Sequence, residues 1–343
     1  MPMAAKRTNE ATIDIIVPVY NRATIVRRTL DTIAAQSYRR FRLVLVDNNS
    51  TDDSLHVLET FRQEHSELNI DIVQCTTPGA AAARNAGFRA SNSEWVMFFD
   101  SDDIMDTDLV ESYMSRIDAV GGNADIVVTR VDVQNLDGSH REYPYYESNL
   151  IVQHLFHASL ATLRYIVRRS TFERAGAWNE AMLCWDDWEL GFRILLLHPR
   201  TAYMGDRVRV HVISTAESIT GTEFASRHGL WERAIDAAEA LLRAENAPIH
   251  STVNEAQAYH TDGKPTISQK KIGRLLRFLE FRRIALAAEY LRENRPDIAT
   301  PLYKSTMNRC RRHAVMRWLY PIGYHYIARG GRGFSHIVKH LVR

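Results

Sequence analysis

Apolar, β-branched runs alternate with stretches of helical period through the first hundred residues of the chain. Residues 13–19 form one such run, ended by Pro18-Val19-Tyr20-Asn21, as a buried strand feeding a loop would be. Val26, Leu30 and Ile33 then recur at helical spacing, and Leu43-Val44-Leu45-Val46 reads as a second buried strand. Ser50 with Asp53 resembles a capping box ahead of the Leu55, Leu58, Phe61 face, and a strand over 70–73 follows. Residues 79–90 form an alanine-rich helix. The strand Trp95-Val96-Met97-Phe98-Phe99 runs directly into Asp100-Ser101-Asp102-Asp103. This βαβα alternation predicts an α/β domain with a mostly parallel sheet and helices on both faces. Ligands of such sheets sit outside the carboxyl ends of the strands, where Asp47 and Asp100 stand.

Further on, the pattern predicts a helix over 109–117, a strand over 126–133 and another over 163–167. A polar, tyrosine-bearing stretch to about residue 150 follows neither period. A helix is expected over 185–197, two short strands within 201–212, and helices beyond Phe224, interrupted by a polar, turn-rich linker around 250–265. With 45% apolar and 24% charged residues the chain has the composition of a packed globular protein. No run approaches the ~18 consecutive apolar residues of a spanning helix. The first residues lack a secretory h-region, so a cytoplasmic location is expected. Cys75, Cys184 and Cys310 are widely spaced, which suggests neither a disulfide framework nor a zinc site.

The formal charge of +2 conceals a division. Residues 261–343 carry 18 Lys/Arg against 5 Asp/Glu, net +13, and residues 1–260 carry 25 against 36, net −11. In the acidic part, three carboxylates fall within the four residues 100–103. They repel one another unless a cation or hydrogen bonds offset them, and hard oxygen ligands at a strand end suit Mg²⁺ or Mn²⁺; a solvated turn or helix cap is the alternative. Neither G-x-G-x-x-G nor G-x-x-x-x-G-K-[ST] is present, which argues against a Rossmann dehydrogenase or a P-loop kinase.

Taken together, Pro18-Val19-Tyr20-Asn21, Val46-Asp47-Asn48-Asn49-Ser50-Thr51-Asp52, Ala83-Arg84-Asn85-Ala86-Gly87, Phe99-Asp100-Ser101-Asp102-Asp103 and Trp185-Asp186-Asp187-Trp188 resemble the ordered motifs of glycosyltransferase family 2. The resemblance covers roughly residues 12–220. It implies a GT-A fold, with a Rossmann-like, mostly parallel sheet, and an inverting transfer of a sugar from a nucleotide-sugar, a UDP-sugar first, to an acceptor hydroxyl. The implied organisation is a flexible N-terminus (1–11), a catalytic domain (12–224, with 12–103 binding the nucleotide and 104–224 the acceptor) and a helical extension (225–343), basic from about 261.

The resemblance also implies roles. Pro18, Tyr20 and Asn21 would cradle the base, with Asp47 accepting a hydrogen bond from base or ribose. Arg84, Asp100 and Ser101 would face the nucleotide-sugar, and Asp102 would bind Mn²⁺ or Mg²⁺, with His211 of Arg209-Val210-His211, ahead of Ser214 and Ser218, completing the metal site. Asp187 aligns with the catalytic base, with Asp186 as fallback, and Trp185 and Trp188 would contact the acceptor. Helix capping competes as the reason for the Asp186-Asp187 pair. For Arg84, Tyr20 and His211 the competing readings are a helix-surface arginine, a core aromatic and a structural histidine. Asn48-Asn49 departs from the commoner Asp-Gly, and Asp186 from the commoner Glu.

In the tail, Arg274, Arg277, Arg282, Arg283, Arg309, Arg311, Arg312 and Arg317 alternate with Leu275, Leu276, Phe278, Leu279, Trp318, Leu319 and Tyr320. Such helices suit an anionic membrane surface, or they pack on the catalytic domain with a solvated basic face. Nucleic acid is not expected as a partner, since no binding module accompanies the charge. The expected partners are a nucleotide-sugar and a glycan or lipid-linked acceptor of surface polysaccharide or glycolipid assembly, with peripheral association at the inner face of the cell membrane. The alternative function is a non-catalytic nucleotide-sugar-binding or scaffolding subunit.

Overall fold

A computed structural model describes residues 12–135, 137–214, 224–245 and 268–342. The expected flexible N-terminus, the linker and Ser218 lie outside the described residues. The first half alternates as expected: β1 (Ile13–Val19), α1 (Val26–Ala34), β2 (Phe41–Asp47), α2 (Ser54–Glu64), β3 (Asn69–Gln74), α3 (Ala80–Ala90) and β4 (Trp95–Phe98). Then come β5 (Ile104–Met105), α4 (Leu109–Ala119), β6 (Ile126–Gln134), β7 (His140–Glu142), α5 (Leu150–His157), β8 (Tyr165–Arg168), α6 (Arg169–Arg174), α7 (Asp186–Leu196) and β9 (Thr201–Ile213). The extension comprises α8 (Leu230–Glu245), α9 (Gln269–Arg292), α10 (Pro296–Arg309), α11 (Ala314–Ala328) and α12 (Phe334–Leu341).

Among the described residues the strands form one sheet in the order β3-β2-β1-β4-β8-β6-β9-β5, with β7 beside β6. β1 runs parallel to β2 and β4, β2 to β3, and β6 to β9. The two parallel groups are joined by β8, which is antiparallel to both β4 and β6.

Three local expectations are corrected. The apolar run at 163–167 opens as a 3₁₀ turn, Thr162–Arg164, before β8 begins. The segment 201–212 is one strand rather than two, because it stays paired with β6 across register shifts near Arg130, where residues 205–207 bulge out. The α2 terminus uses no Ser50–Asp53 box. Instead Asp52 Oδ1 accepts from the Ser54 N–H at 3.0 Å, and Ser50 Oγ accepts from the Asn21 N–H at 3.1 Å. The two turns that follow β1 and β2 are thereby tied to each other.

Both sheet faces are covered, which is why the strands read as continuous apolar runs. Ile13, Ile15, Val17, Leu43 and Leu45 face α1, α2 and α4, while Ile16, Val44 and Val46 face α3. At Gly87 of α3 a Cβ would fall 2.5 Å from Ile16 Cγ2 and 2.9 Å from Val46 Cγ2. The glycine of Ala83-Arg84-Asn85-Ala86-Gly87 thus lets the helix lie directly on β1 and β2.

The second core continues without a break into the extension, joining Phe278, Phe281, Tyr320 and Phe334. Phe156 of α5 meets Phe278 of α9 at 5.3 Å, and Trp185 meets Trp231 of α8 at 5.2 Å. Several tail arginines are tied into the fold, Arg283 from inside the core, Arg274 half-buried and Arg309 from the surface. Arg283 is 3% exposed, with Asp236 and Glu239 each at 2.6 Å and Glu280 at 3.6 Å. Arg309 binds Glu280 at 2.9 Å, and Arg274 donates to the Val342 and Lys339 carbonyls at 3.1 and 2.6 Å. Arg311, Arg312 and Arg317 are exposed.

Candidate active site

At the carboxyl ends of β1, β2 and β4 lies a cavity of about 1100 Å³ whose wall includes Pro18, Tyr20, Arg84, Asp100, Ser101, Asp102, Trp185, Asp187 and Trp188. It is thus as large as the ~300–1,000 Å³ typical of ligand pockets. Asn21, Asp47, Asp186 and His211 are not on the wall.

Tyr20, 56% exposed, is not a core aromatic. Asn21, left-handed at φ 50, accepts on Oδ1 from the Thr51 N–H at 2.8 Å, so its side chain holds the loop rather than the cavity. Asp47 is buried beside Val19 at the end of β2, and its Oδ1 has no hydrogen-bond partner. Asn48, the departure from Asp-Gly, is a structural pin. Its Nδ2 donates to the carbonyls of Cys75 (2.9 Å) and Thr77 (2.7 Å), and its Oδ1 accepts from the Gly79 N–H at 2.8 Å. It thereby sets the start of α3. Sequence reasoning missed Asn48 as a positioning residue, together with the wall residues Pro78 and Gly79.

Arg84 departs most from its competing reading. It is 6% exposed, and its guanidinium donates to Asp100 Oδ1 at 2.7 Å and to Asp186 Oδ2 at 2.9 Å while lying 4.5 Å from the Trp178 ring centre. Burial acts against the cation, but the Asp100 and Asp186 carboxylates outweigh it and hold its pKa above the ordinary value. The neighbouring Asn85 donates to the Trp178 carbonyl at 2.9 Å and accepts from its N–H at 3.0 Å, fixing the aromatic beneath Arg84.

Beyond β4, burial first and Asp100 second push the Asp102 carboxyl up, against Arg22 at 3.8 Å. Burial, Asp100 and Asp102 push Asp103 well up. Asp103 Oδ1 accepts from the Ile213 N–H at 2.8 Å, and Thr29 Oγ1 donates to its carbonyl at 2.7 Å, so this carboxylate serves the frame. Asp100, paired with Arg84, and Asp102, 3.8 Å from Arg22, are hard oxygen donors close together at a strand end, a donor set that fits Mg²⁺ or Mn²⁺.

His211 is placed elsewhere. Its Nδ1 lies 2.6 Å from Asp132 and its Nε2 3.1 Å from Asp106, and His140 stands 2.9 Å from the other Asp132 oxygen. Both ring nitrogens are engaged, and among the described residues no group of three or more His, Cys, Asp or Glu is gathered as a metal cage. Arg209, of the same motif, pairs with Asp206 and Asp108 at 2.7 and 3.1 Å.

Helix α7 begins at Trp185, left-handed at φ 53, which turns the chain so that Asp186 meets Arg84 and Asp187 meets the cavity. Burial, with Asp186 alongside, pushes Asp187 up to about 7 against the pull of Arg84. Its Oδ1 accepts from the Trp188 N–H at 2.7 Å. Trp188 is a buried core residue whose Nε1 donates to the His154 carbonyl at 3.1 Å, and Trp185 is the half-buried member of the pair.

The architecture is a GT-A fold with a C-terminal helical extension. The chain belongs to glycosyl transferase family 2, whose sequence model matches residues 14–185. GlyA of Streptococcus pneumoniae is 36% identical over 116 residues, 34% of this chain and 16% of that protein. The amylovoran biosynthesis glycosyltransferase AmsB of Erwinia amylovora is 24% identical over 272 residues, 74% of this chain and 87% of that one. The chain spans 16% and 43% of the first two curated relatives, GlyA and GlyG of S. pneumoniae. In fold it is similar to S. aureus TarS 1–349 in complex with UDP, with a TM-score of 0.59 at 17% identity, over 93% of this chain and 87% of that one.

Breaking a buried ion pair by removing one partner typically costs about 3–5 kcal/mol. Arg84→Gln should therefore destabilise the protein by about that much in denaturant unfolding, and Arg84→Lys by less, because one ammonium keeps the charge but not the two-pronged reach. A loss under about 1 kcal/mol for Arg84→Gln would show that the bridge does not hold the site together.

Proposed function

We propose that the protein is an inverting glycosyltransferase that moves a sugar from a nucleotide-sugar, a UDP-sugar first, to an acceptor hydroxyl. The observation that carries this reading is Asp187, held at a helix start on the wall of the donor cavity with its pKa raised to about 7. A general base works best with a pKa near the operating pH. The step is one displacement. Asp187 takes the proton of the acceptor hydroxyl as that oxygen attacks the anomeric carbon, and the bond to the diphosphate breaks on the opposite face.

Tyr20 and Pro18, on the wall, flank the nucleotide, and Asp47, whose unpartnered oxygen lies behind the wall, is assigned to the base or ribose from the resemblance of its motif. Arg84 keeps Asp100 and Asp186 fixed relative to each other while the donor is bound. Asp102, with Asp100 beside it, would hold a divalent cation, which supplies positive charge to the departing diphosphate. TarS 1–349 crystallised with UDP-GlcNAc, and a Pyrobaculum calidifontis mannosyltransferase of TM-score 0.52 crystallised with GDP-Man and Mn²⁺, support the nucleotide-sugar and the metal.

Asp187→Asn keeps shape and removes the base, so transfer should fall by ~10² to 10⁴-fold with donor affinity near wild type. The wild-type kcat/KM should rise with pH to a plateau above neutrality, because the base acts only when deprotonated, and the acid limb should lie near 7. Asp102→Asn should abolish the metal dependence of UDP binding. An acid limb near pH 4, or a silent Asp187→Asn, would refute the assignment of the base.

A membrane role has its own support, and the occupant is an anionic lipid surface. Residues 298–343 contain 9 Lys/Arg and no Asp/Glu. Of the eight large apolar residues exposed among the described residues, six are in α11 and α12: Val315, Trp318, Ile322, Tyr326, Ile337 and Leu341. On α11 their spacing makes one stripe, with Arg311, Arg312, Arg317 and Arg329 exposed around it. No described helix is long and apolar enough to cross a membrane. The full chain should sediment with phosphatidylglycerol vesicles at low salt and not with phosphatidylcholine vesicles. The pair Trp318→Ser, Ile322→Ser, or raised salt, should release it, since each basic residue contributes ~1 kcal/mol through a screened attraction. Absence of sedimentation at low salt would remove the membrane role.

A further inference from the structure

The cavity wall carries Asp100, Asp102, Asp103 and Asp187, with Arg84 paired to Asp100 and Arg22 3.8 Å from Asp102; it also carries Arg141, Arg164 and Arg282, with His157 and Glu142. Tyr143 stands between the two sets. Its ring centre is 5.7 Å from the Arg141 guanidinium and 5.5 Å from that of Arg164, and its phenol, pushed up first by burial, also responds to Asp187 and Asp103. Trp185, two residues before Asp187 at the start of α7, lies 4.5 Å from the Arg282 guanidinium, so the basic set borders the proposed base.

Among the described residues the other fully buried arginines are neutralised. Arg84 meets two carboxylates, Arg209 two and Arg283 three. Arg164 is equally buried yet meets no carboxylate among the described residues. Its amines donate to the carbonyls of Pro144, His157 and Ala158, and its Nε has no partner. Arg282, delivered from α9, lies 4.5 Å from the Trp185 ring centre, and its sealed Nε also lacks a partner. Burial pulls both guanidinium groups down to about 10. Arg164 has no carboxylate partner among the described residues and half-buried Arg282 has only the longer-range pull of Glu289; cations so poorly compensated are costly to keep in a fold, and both open on the same cavity. An anion arriving there would relieve the cost and supply acceptors for the idle N–H groups.

We propose that Arg164 and Arg282, with Arg141 nearer the solvent, form an acceptor subsite for an acidic group, a phosphate or a carboxylate, carried close to the hydroxyl that Asp187 deprotonates. This rests on the transferase reading above and extends it to the acceptor. It also gives the helical extension a part in specificity, since Arg282 belongs to α9 rather than to the nucleotide-binding half. The donor diphosphate is served at the acidic end, where a cation would bind. The arginines are therefore left for the second substrate.

Arg282→Gln is the suitable variant, because Arg164 also holds three loop carbonyls and its removal would move the loop. The probes are hexose methyl glycosides, their 6-phosphates and the matching methyl uronides, titrated with UDP present and followed by ligand-observed NMR and by the fluorescence of Trp185 under Arg282. Wild type should bind at least one acidic series tenfold or more tighter than the neutral one. Whichever of phosphate and uronide binds tighter identifies the acid. Arg282→Gln should lose most of that preference while neutral-glycoside and UDP affinities stay within twofold. Equal binding of neutral and acidic glycosides by wild type would overturn the subsite, as would an Arg282→Gln variant whose main loss is in UDP affinity. Release of UDP from nucleotide-sugars is measured separately. Its absence would count against the transferase reading while leaving the binding preference to be judged on its own result.

Discussion

One guanidinium organises this site. Arg84 is the point at which β4, through Asp100, and α7, through Asp186, are joined, with Trp178 beneath it. A buried arginine holds its carboxylate partners in place, because leaving a charge unmatched in a packed interior typically costs about 3–5 kcal/mol. The carboxyl end of β4 and the helix that carries Asp187 therefore share a fixed separation. Asp187 inherits its chemistry from the same arrangement. It lies in the same buried cluster but beside Asp186, so it is left as the carboxylate that resists ionising until near neutrality.

Around that bridge the polar residues of the motifs divide into those that face the cavity and those that hold its wall. Asn48 ties the end of β2 to the start of α3, and Asn85 ties α3 to the Trp178 loop. Gly87 allows α3 to contact the sheet at a distance no side chain would permit. Chemistry and packing are thus interleaved within single motifs, and a change at a packing position would reach the site through geometry. The extension contributes in the same way. It completes one of the two cores and brings Arg282 to the cavity wall.

Much of this was legible in the sequence for a physical reason. Strands buried on both faces leave unbroken apolar runs, so β1 to β4 and the carboxylates at their ends could be read directly, as could the Asp186-Asp187 start of α7. What the sequence hid depends on partners far along the chain. Asn21 resembled a ligand residue, yet its amide oxygen is used by Thr51. His211 resembled a metal ligand, yet Asp106 and Asp132 take both its nitrogens, and neither carboxylate is near it in sequence. The tail arginines looked like one solvated class. Only the fold separates Arg283, neutralised in a core, from Arg311 at the surface and Arg282 in the cavity.

The central claim is a direct displacement assisted by a single base, and the configuration of the product tests it most directly. The protein would be incubated with UDP-α-sugars and acceptor glycosides, and the new anomeric proton followed by NMR from the first turnover. The account predicts a β-linked product at every time point. An α-linked product would require a second displacement or a different nucleophile, and would contradict the role given to Asp187.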